Sequence, residues 1–320
     1  MRNDEREERL PVDGSTPQGE LVAAHWARLS LTVDGARQAL RSRGIAIEQA
    51  TADDLHGLDM LHMGGLAATD ALAEMAALQT GQHVLDVGAG VGGPARRMAY
   101  KHGARLWGLE LSQSVCQTAV ALTALVGLQG RVQFKQGSAL ALPFPDGAFD
   151  VVVMQHVAMQ VAEKERLFEE CVRVLNDGGV LALHEIFAGE GGPPFFPLAW
   201  ATDPAMSSLE TFGECSARLA RMGLWPAAFR DTSAEGQQYH LVNMKAMQQA
   251  LVQEEGTHGR SVEVTRMRLQ TATSMERNLR EQRLQVAMVV YRRTRDSERP
   301  FTKPSVGRDH SVALVRKEES

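Results

Sequence analysis

From His83 onward the chain alternates short apolar runs with longer stretches of helical spacing. HVLDV predicts a strand, PARRMAYKHG a helix ending at Gly103, ARLWGLEL a strand, SQSVCQTAVALTALVGL a helix and RVQFKQG a strand. FDVVVMQ then reads as a strand, EKERLFEECVRVL as a helix and GGVLALHEIF as a strand. Such alternation predicts βαβ units with right-handed crossovers and a doubly wound, mostly parallel α/β sheet. The strands are nearly continuous apolar runs, as expected when helices cover both faces. Upstream, residues 24 to 45 have helical spacing. Thr51 with Asp54 three residues on predicts an N-cap, and a further helix is expected over Gly65 to Leu78. After Phe187 the texture changes. AGEGGPPFFPLAWATDP is rich in Gly and Pro, and SLETFGECSARLARMGL reads as an amphipathic helix. WPAAFRDTS suggests a strand, residues 236–284 read as helical, and LQVAMVVYRRT is the last strand. The organisation expected is a flexible leader over 1–20, a helical cap over 21–78 and a sheet domain over 79–295. A helical lid or insertion spans 188–284, before the last strand, and a polar tail covers 296–320.

Composition narrows the class. With 44% hydrophobic and 23% charged residues among 320, the chain is of ordinary globular type, which excludes wholesale disorder. A net charge of −5 argues against a protein built around a nucleic-acid backbone. No apolar run approaches the roughly 20 residues that a spanning helix needs. The N-terminal MRNDEREERLPVDGSTPQGE is charged and lacks the apolar stretch of a signal peptide. Cys116, Cys171 and Cys215 are widely spaced with no CxxC, so reduced thiols and a cytoplasmic location are expected. No Cys/His cluster has ligand spacing, and no metal is expected.

The stretch Leu85-Asp86-Val87-Gly88-Ala89-Gly90-Val91-Gly92-Gly93-Pro94 follows a strand and opens a helix. Glycines there allow a tight turn and let a ligand approach main-chain atoms. Gly88, Gly90 and Gly93 fit G-x-G-x-x-G, which alone is a weak dinucleotide signature. Asp86 would be awkward beside a pyrophosphate but useful where a ligand carries a cation or amino group. Glu110, at the end of the next strand, can accept hydrogen bonds from both ribose hydroxyls of an adenosine, as NAD enzymes also arrange. Gly137-Ser138-Ala139 follows the third strand and can border an adenine ring.

LDVGAGVGG, the Glu110 strand end, GSALALPFPDGAFDVVVMQ and VLNDGG together resemble the motif series of class I S-adenosylmethionine-dependent methyltransferases. The resemblance covers His83 to Phe187, about a third of the chain. LHMGGLAATDALAEMAALQTG is also similar to the approach segment of small-molecule members acting on sarcosine and dimethylglycine, tocopherols and ubiquinones. It implies a seven-stranded sheet whose last strand is antiparallel. It implies S-adenosylmethionine as cofactor, with S-adenosylhomocysteine as product. Gly88, Ala89 and Gly90 would lie against the methionine part, Asp86 would reach its amino group, and Glu110 would take the ribose hydroxyls. Leu111 would pack on adenine, Ser138 and Ala139 would border it, and Gln155 would sit beside the methionine end. Many relatives carry an acidic residue where Ser138 stands.

A sulfonium methyl is already activated, so in-line alignment and exclusion of water are the main requirements. A base helps only a nucleophile that arrives protonated. Substrate-side candidates at the strand ends are His156, His184 and Glu185, with His156 the expected base. His62 would line the site from the approach segment. Phe195, Phe196 and Trp200 of PPFFPLAW would form a lid, while Arg277, Arg280 and Arg283 read as a solvated face. The acceptor expected is a small metabolite offering an amine, a hydroxyl or an electron-rich carbon. No nucleic acid or membrane span is expected, and the N-terminal helices could support a homo-oligomer. The competing readings are an NAD(P)-dependent oxidoreductase and a non-catalytic S-adenosylmethionine-binding protein.

Overall fold

The computed structural model describes residues 15–253, 260–293 and 312–313. Seven strands carry the sheet: β1 (His83–Val87), β2 (Arg105–Glu110), β3 (Val132–Gln136), β4 (Phe149–Gln155), β5 (Leu175–Ala188), β6 (Leu224–Asp231) and β7 (Leu284–Arg293). A two-residue strand, β8 (Val312–Ala313), pairs with β6 in the region read from sequence as a polar tail. The order across the sheet is β3-β2-β1-β4-β5-β7-β6-β8. Pairing is parallel from β3 to β5, and β7 runs antiparallel to both β5 and β6. β1 therefore has β2 on one side and β4 on the other. The chain changes direction across the sheet there, which opens a crevice at the strands' C-terminal ends.

The apolar runs are explained by burial on two faces. Val84, Val151, Val153, Ala182, Met288 and Val290 pack toward one side, with Leu72, Ala95 and Met98. Leu85, Val87, Val152, Met154, Val289 and Tyr291 pack toward the other, with Leu167, Phe168, Cys171 and Leu219. Neighbouring residues of one strand thus belong to different layers, as the two-residue period of a strand requires. At roughly 25 cal/mol per Å² of apolar surface, these two layers dominate the stabilisation.

The cap consists of α1 (Pro17–Leu29), α2 (Val33–Ser42), α3 (Ala52–Leu55) and α4 (Gly65–Met75). Two expectations need correction here. The leader does not extend to residue 20, because Thr16 caps α1 through its Oγ1 (3.0 Å from the Gly19 N–H) and Pro17 opens the helix. Residues 1–14 lie outside the described residues. The helix expected over 24–45 is two helices, because Thr32 starts a new one by accepting from the Gly35 N–H at 3.1 Å. Thr51 donates from its backbone N–H and hydroxyl to the Asp54 carboxylate, at 2.8 and 2.7 Å.

Crossover helices α5 (Gly93–His102), α6 (Gln113–Leu125) and α7 (Lys164–Val174) follow β1, β2 and β4. α5 ends at Gly103, whose φ of +70° makes the left-handed cap that glycine adopts without a Cβ penalty. The 188–284 insertion holds α8 (Phe212–Arg221), β6, α9 (Ser233–Gln253) and α10 (Arg260–Arg280), so it is not wholly helical.

Candidate active site

A cavity of about 300 Å³ opens at the C-terminal ends of β1, β2 and β4. The glycine turn forms its floor. Gly88, Gly90 and Gly92 have φ of +72°, +54° and +85°. A Cβ on Gly88 would stand 2.4 Å from Val157 Cγ2, so this position needs glycine for space as well as conformation. The Gly88 and Ala89 N–H groups both donate to the Leu109 carbonyl at 2.9 Å, which fastens the turn to β2. The Gly90 N–H donates to Glu110 Oε2 at 3.0 Å, and the Ser112 N–H donates to Oε1 at 2.8 Å. Glu110 is thereby fixed at the cavity edge, and burial raises its pKa above the usual carboxylate range.

Asp86 also lines the cavity and is 2% exposed. Its Oδ2 has no hydrogen-bond partner among the described residues. Burial first, and then the Glu110 charge, push its pKa up to about 7. A buried carboxylate oxygen without a partner is costly. An ammonium or sulfonium ligand in this cavity would relieve that cost. Leu111, Ser138, Ala139 and Gln155 line the same space, so all nine positions expected to contact a cofactor meet there.

The other end is built from histidines. His62 and His156 line the cavity, while His184 is not among its lining residues and packs against both of their rings. The His156 and His184 rings are 4.7 Å apart between centroids, and His62 is 6.0 and 5.9 Å from them. His156 takes φ +56°, an uncommon conformation for a residue with a Cβ. Its backbone N–H donates to the His184 carbonyl at 2.8 Å, and its carbonyl accepts from Gln160 Nε2 at 3.0 Å. The Met63 N–H donates to His156 Nδ1 at 3.4 Å. Its Nε2 is buried with no partner among the described residues. Burial lowers the pKa of all three rings, to about 4 for His62 and about 3 for His184.

Other sequence expectations fall outside the cavity. Glu185 is 1% exposed and accepts from the Val157 and Ala158 N–H groups at 3.0–3.1 Å. It braces the loop after β4 and is not among the cavity-lining residues. Phe195, Phe196 and Trp200 do not line the cavity either. Trp200 is fully buried, with its indole N–H donating to Ser207 Oγ at 3.2 Å. The Phe195 ring lies beneath the Arg277 and Arg283 guanidinium groups, 3.6 and 4.1 Å from its centroid, so those arginines cover an aromatic ring. PPFFPLAW is packed wall, and the lid is α1. Thr16, Gly19, Glu20, Ala23 and Trp26 line the cavity at helical spacing. Gln18 Oε1 accepts from the Ala162 N–H at 3.0 Å and its Nε2 donates to Ser208 Oγ at 3.0 Å. His25 Nε2 contacts the Ala199 carbonyl at 3.2 Å.

Asp59 was also missed by sequence reasoning. It lines the cavity and pairs with Arg96 at 2.9 Å, with side chains 2% and 1% exposed. A Cβ on Gly93 would meet the Asp59 carbonyl at 2.4 Å, so the cap lies directly on the start of α5. Nothing local in sequence signals that contact. Among the described residues no cluster of His, Cys, Asp and Glu could hold a metal ion, and no helix is long and apolar enough to cross a membrane.

The comparisons with known proteins agree with this geometry. Residues 85–183 match the family model described as a methyltransferase domain. Residues 85–183 therefore resemble a methyltransferase domain, set on a doubly wound sheet of the same fold as the solved methyltransferases. Ajmaline N-methyltransferase of Rauvolfia serpentina is 36% identical over 102 residues, which are 32% of this chain and 35% of that relative. The chain spans 30–48% of the length of the first curated relatives. The solved structure of the cyclase SpnF is similar with a TM-score of 0.58 and 25% identity, over 71% of this chain and 81% of that one. Geranyl diphosphate C-methyltransferase of Streptomyces coelicolor A3(2), solved with geranyl diphosphate, Mg2+ and S-adenosyl-L-homocysteine, has a TM-score of 0.62 at 19% identity. That likeness extends over 88% of this chain and 100% of the other, and it shows the fold.

Proposed function

We propose that the protein transfers the methyl group of S-adenosylmethionine to a small molecule bound beneath α1. The unpartnered, buried Oδ2 of Asp86 carries this reading, because it stands beside a glycine turn with Glu110 fixed opposite. Asp86 would hold the amino group of the cofactor's methionine end, Glu110 the ribose hydroxyls, and Leu111, Ser138 and Ala139 the adenine. The cofactor would supply an electrophilic methyl group. The chain's own work is to align the acceptor and to exclude water. α1 supports that role by covering the cavity with Gly19, Ala23 and Trp26. A cytoplasmic location, expected from the three free, buried cysteines, is part of the same proposal.

Calorimetry with S-adenosylmethionine and S-adenosylhomocysteine tests the binding half. Both should bind, and Asp86→Ala and Glu110→Ala should each weaken binding by about 1–3 kcal/mol, the worth of one charge-assisted hydrogen bond. Unchanged affinity in both variants would show that the nucleoside lies elsewhere. Transfer of an isotopically labelled methyl group to an acceptor tests the catalytic half. It matters because a neighbouring fold is that of a cyclase. Stable cofactor binding without label transfer to any acceptor would leave a binding protein.

A further inference from the structure

The wall of the cavity carries carboxylates and no cation. Glu20, Asp59, Asp86, Glu110 and Glu163 line it, and among the described residues no Lys or Arg does. The two cations beside these acids are committed elsewhere. Arg96 is 1% exposed and donates to Asp59, to Thr123 Oγ1 and to the carbonyls of Val91 and Ala119. Lys164, next to Glu163, donates from Nζ to the carbonyls of Ala158, Val161 and Ser208.

The main chain around the cavity is equally spent. In the glycine turn, the Leu109 carbonyl takes the Gly88 and Ala89 N–H groups and Glu110 takes that of Gly90. In the loop after β4, Glu185 takes the Val157 and Ala158 N–H groups. The carbonyls of Val157 and Ala158 take those of Gln160 and Val161, and Gln18 takes that of Ala162. A loop holds phosphate by turning free N–H groups toward it, and neither of these loops keeps a set to turn. Gln155 Nε2 is a buried amide without a partner among the described residues. The cofactor's own carboxylate, at the methionine end, would claim it. The rest of the wall is largely apolar, with Val22, Ala23 and Trp26 of α1 lining the cavity together with Leu61, Val157 and Val161.

We propose that the methyl acceptor has an apolar body and no anionic group, and that this cavity shuts out phosphates and carboxylates. The proposal rests on the methyltransferase reading above and narrows its acceptor class. An anion entering here would lose its hydration, gain neither a cation nor a cradle of N–H groups, and meet carboxylates. S-adenosylmethionine does not reverse that balance. Its single net positive charge meets Asp86 and Glu110, so no surplus is left for an anion. An uncharged acceptor loses nothing of this kind and buries its apolar surface against α1.

The test uses the full-length protein loaded with S-adenosylhomocysteine. Benzyl alcohol, benzoate and benzyl phosphate, which share one ring, are titrated by calorimetry with and without Mg2+. Benzyl alcohol should bind about tenfold tighter than either anion, or better, because like charges oppose the anions. Its binding should show the negative heat-capacity change of apolar burial. Val22 lines the cavity and belongs to none of the core clusters. Val22→Lys should raise the affinity for benzyl phosphate about tenfold by supplying the missing cation. Retained affinity for S-adenosylhomocysteine confirms that the variant is folded. Either anion binding as tightly as the alcohol, with Mg2+ or without it, would overturn the proposal. So would a folded Val22→Lys protein with no gain in phosphate affinity. No binding of benzyl alcohol to protein that binds S-adenosylhomocysteine would overturn its apolar half. Failure to bind S-adenosylhomocysteine at all would instead strike the methyltransferase reading.

Discussion

The two ends of the cavity respond to burial in opposite ways. At the β1–β2 end two carboxyl groups, Asp86 and Glu110, are pushed toward the protonated form. At the β4–β5 end three imidazoles are pushed toward the unprotonated form. Burial disfavours charge in either case, so both ends tend to neutrality when the site is empty. A cationic ligand breaks that symmetry. It restores the carboxylates and strengthens the neutrality of the imidazoles. One cavity can therefore hold a sulfonium compound at one end and keep uncharged polar atoms at the other.

The largest predicted effect tests what holds the carboxylate end together. Asp59 and Arg96 form a buried pair joining the cap to α5, with Arg96 also donating to Thr123 Oγ1 at 2.9 Å and to the Val91 carbonyl at 2.7 Å. Removing one member leaves the other charge buried, a loss of about 3–5 kcal/mol. Asp59→Leu should thus lower stability strongly in urea unfolding. Asp59→Leu with Arg96→Leu should recover much of the loss. If the single variant costs under about 1 kcal/mol, the cap does not hang on this pair.

The difference between the ends also explains what was legible in sequence. The carboxylate end is written in contiguous motifs: Asp86 to Gly93 is one strand and its turn, and Glu110 ends the next strand. Their geometry follows from hydrogen bonds between successive βα turns, such as that from Gly90 to Glu110. The sheet was equally legible, because apolar runs covered on both faces need no tertiary knowledge. The histidine end joins His62 of the cap, His156 just after β4 and His184 of β5. No local pattern encodes those contacts. The lid was misassigned for a related reason. PPFFPLAW has the aromatic composition of a pocket wall, yet its rings pack against Arg277, Arg283 and the α10 side, while the small residues of α1 do the covering. Thr16-Pro17 was the available signal for α1, an N-cap followed by a helix-opening proline.

A smaller effect separates the two ends by pH. With its folded-state pKa raised to about 7 from an ordinary value near 3.8, Asp86 holds a proton in the empty protein that the unfolded chain has released. Between those values the folded form binds more protons, so Asp86 makes stability fall as pH rises. The histidines act oppositely. With pKa values lowered to about 4 and about 3, His62 and His184 are unprotonated in the fold while the unfolded chain takes up protons below about 6.5. Their contribution is lost as pH falls through that window. A cation bound at Asp86 must expel its proton, so affinity for S-adenosylmethionine should rise up to about tenfold per pH unit below 7 and level above it. Calorimetry near pH 6, in buffers of different ionisation enthalpy, should show proton release in the parent and less in Asp86→Asn. Proton uptake on binding would contradict the carboxylate plan.

The smallest effect concerns α1, which spans both ends. Gln18 fastens it to the loop after β4 through the Ala162 N–H and to the 207–209 segment through Ser208 Oγ. These bonds lie near the surface, where each contributes about 0.5–1.5 kcal/mol. Gln18→Ala should leave the unfolding midpoint nearly unchanged, because neither core layer includes Gln18. The helix should open more often. The cavity lies under it, so dissociation of S-adenosylhomocysteine should accelerate by about two- to tenfold. Stopped-flow release of that ligand decides the matter. An unchanged release rate would mean that the ligand leaves by a route that α1 does not cover.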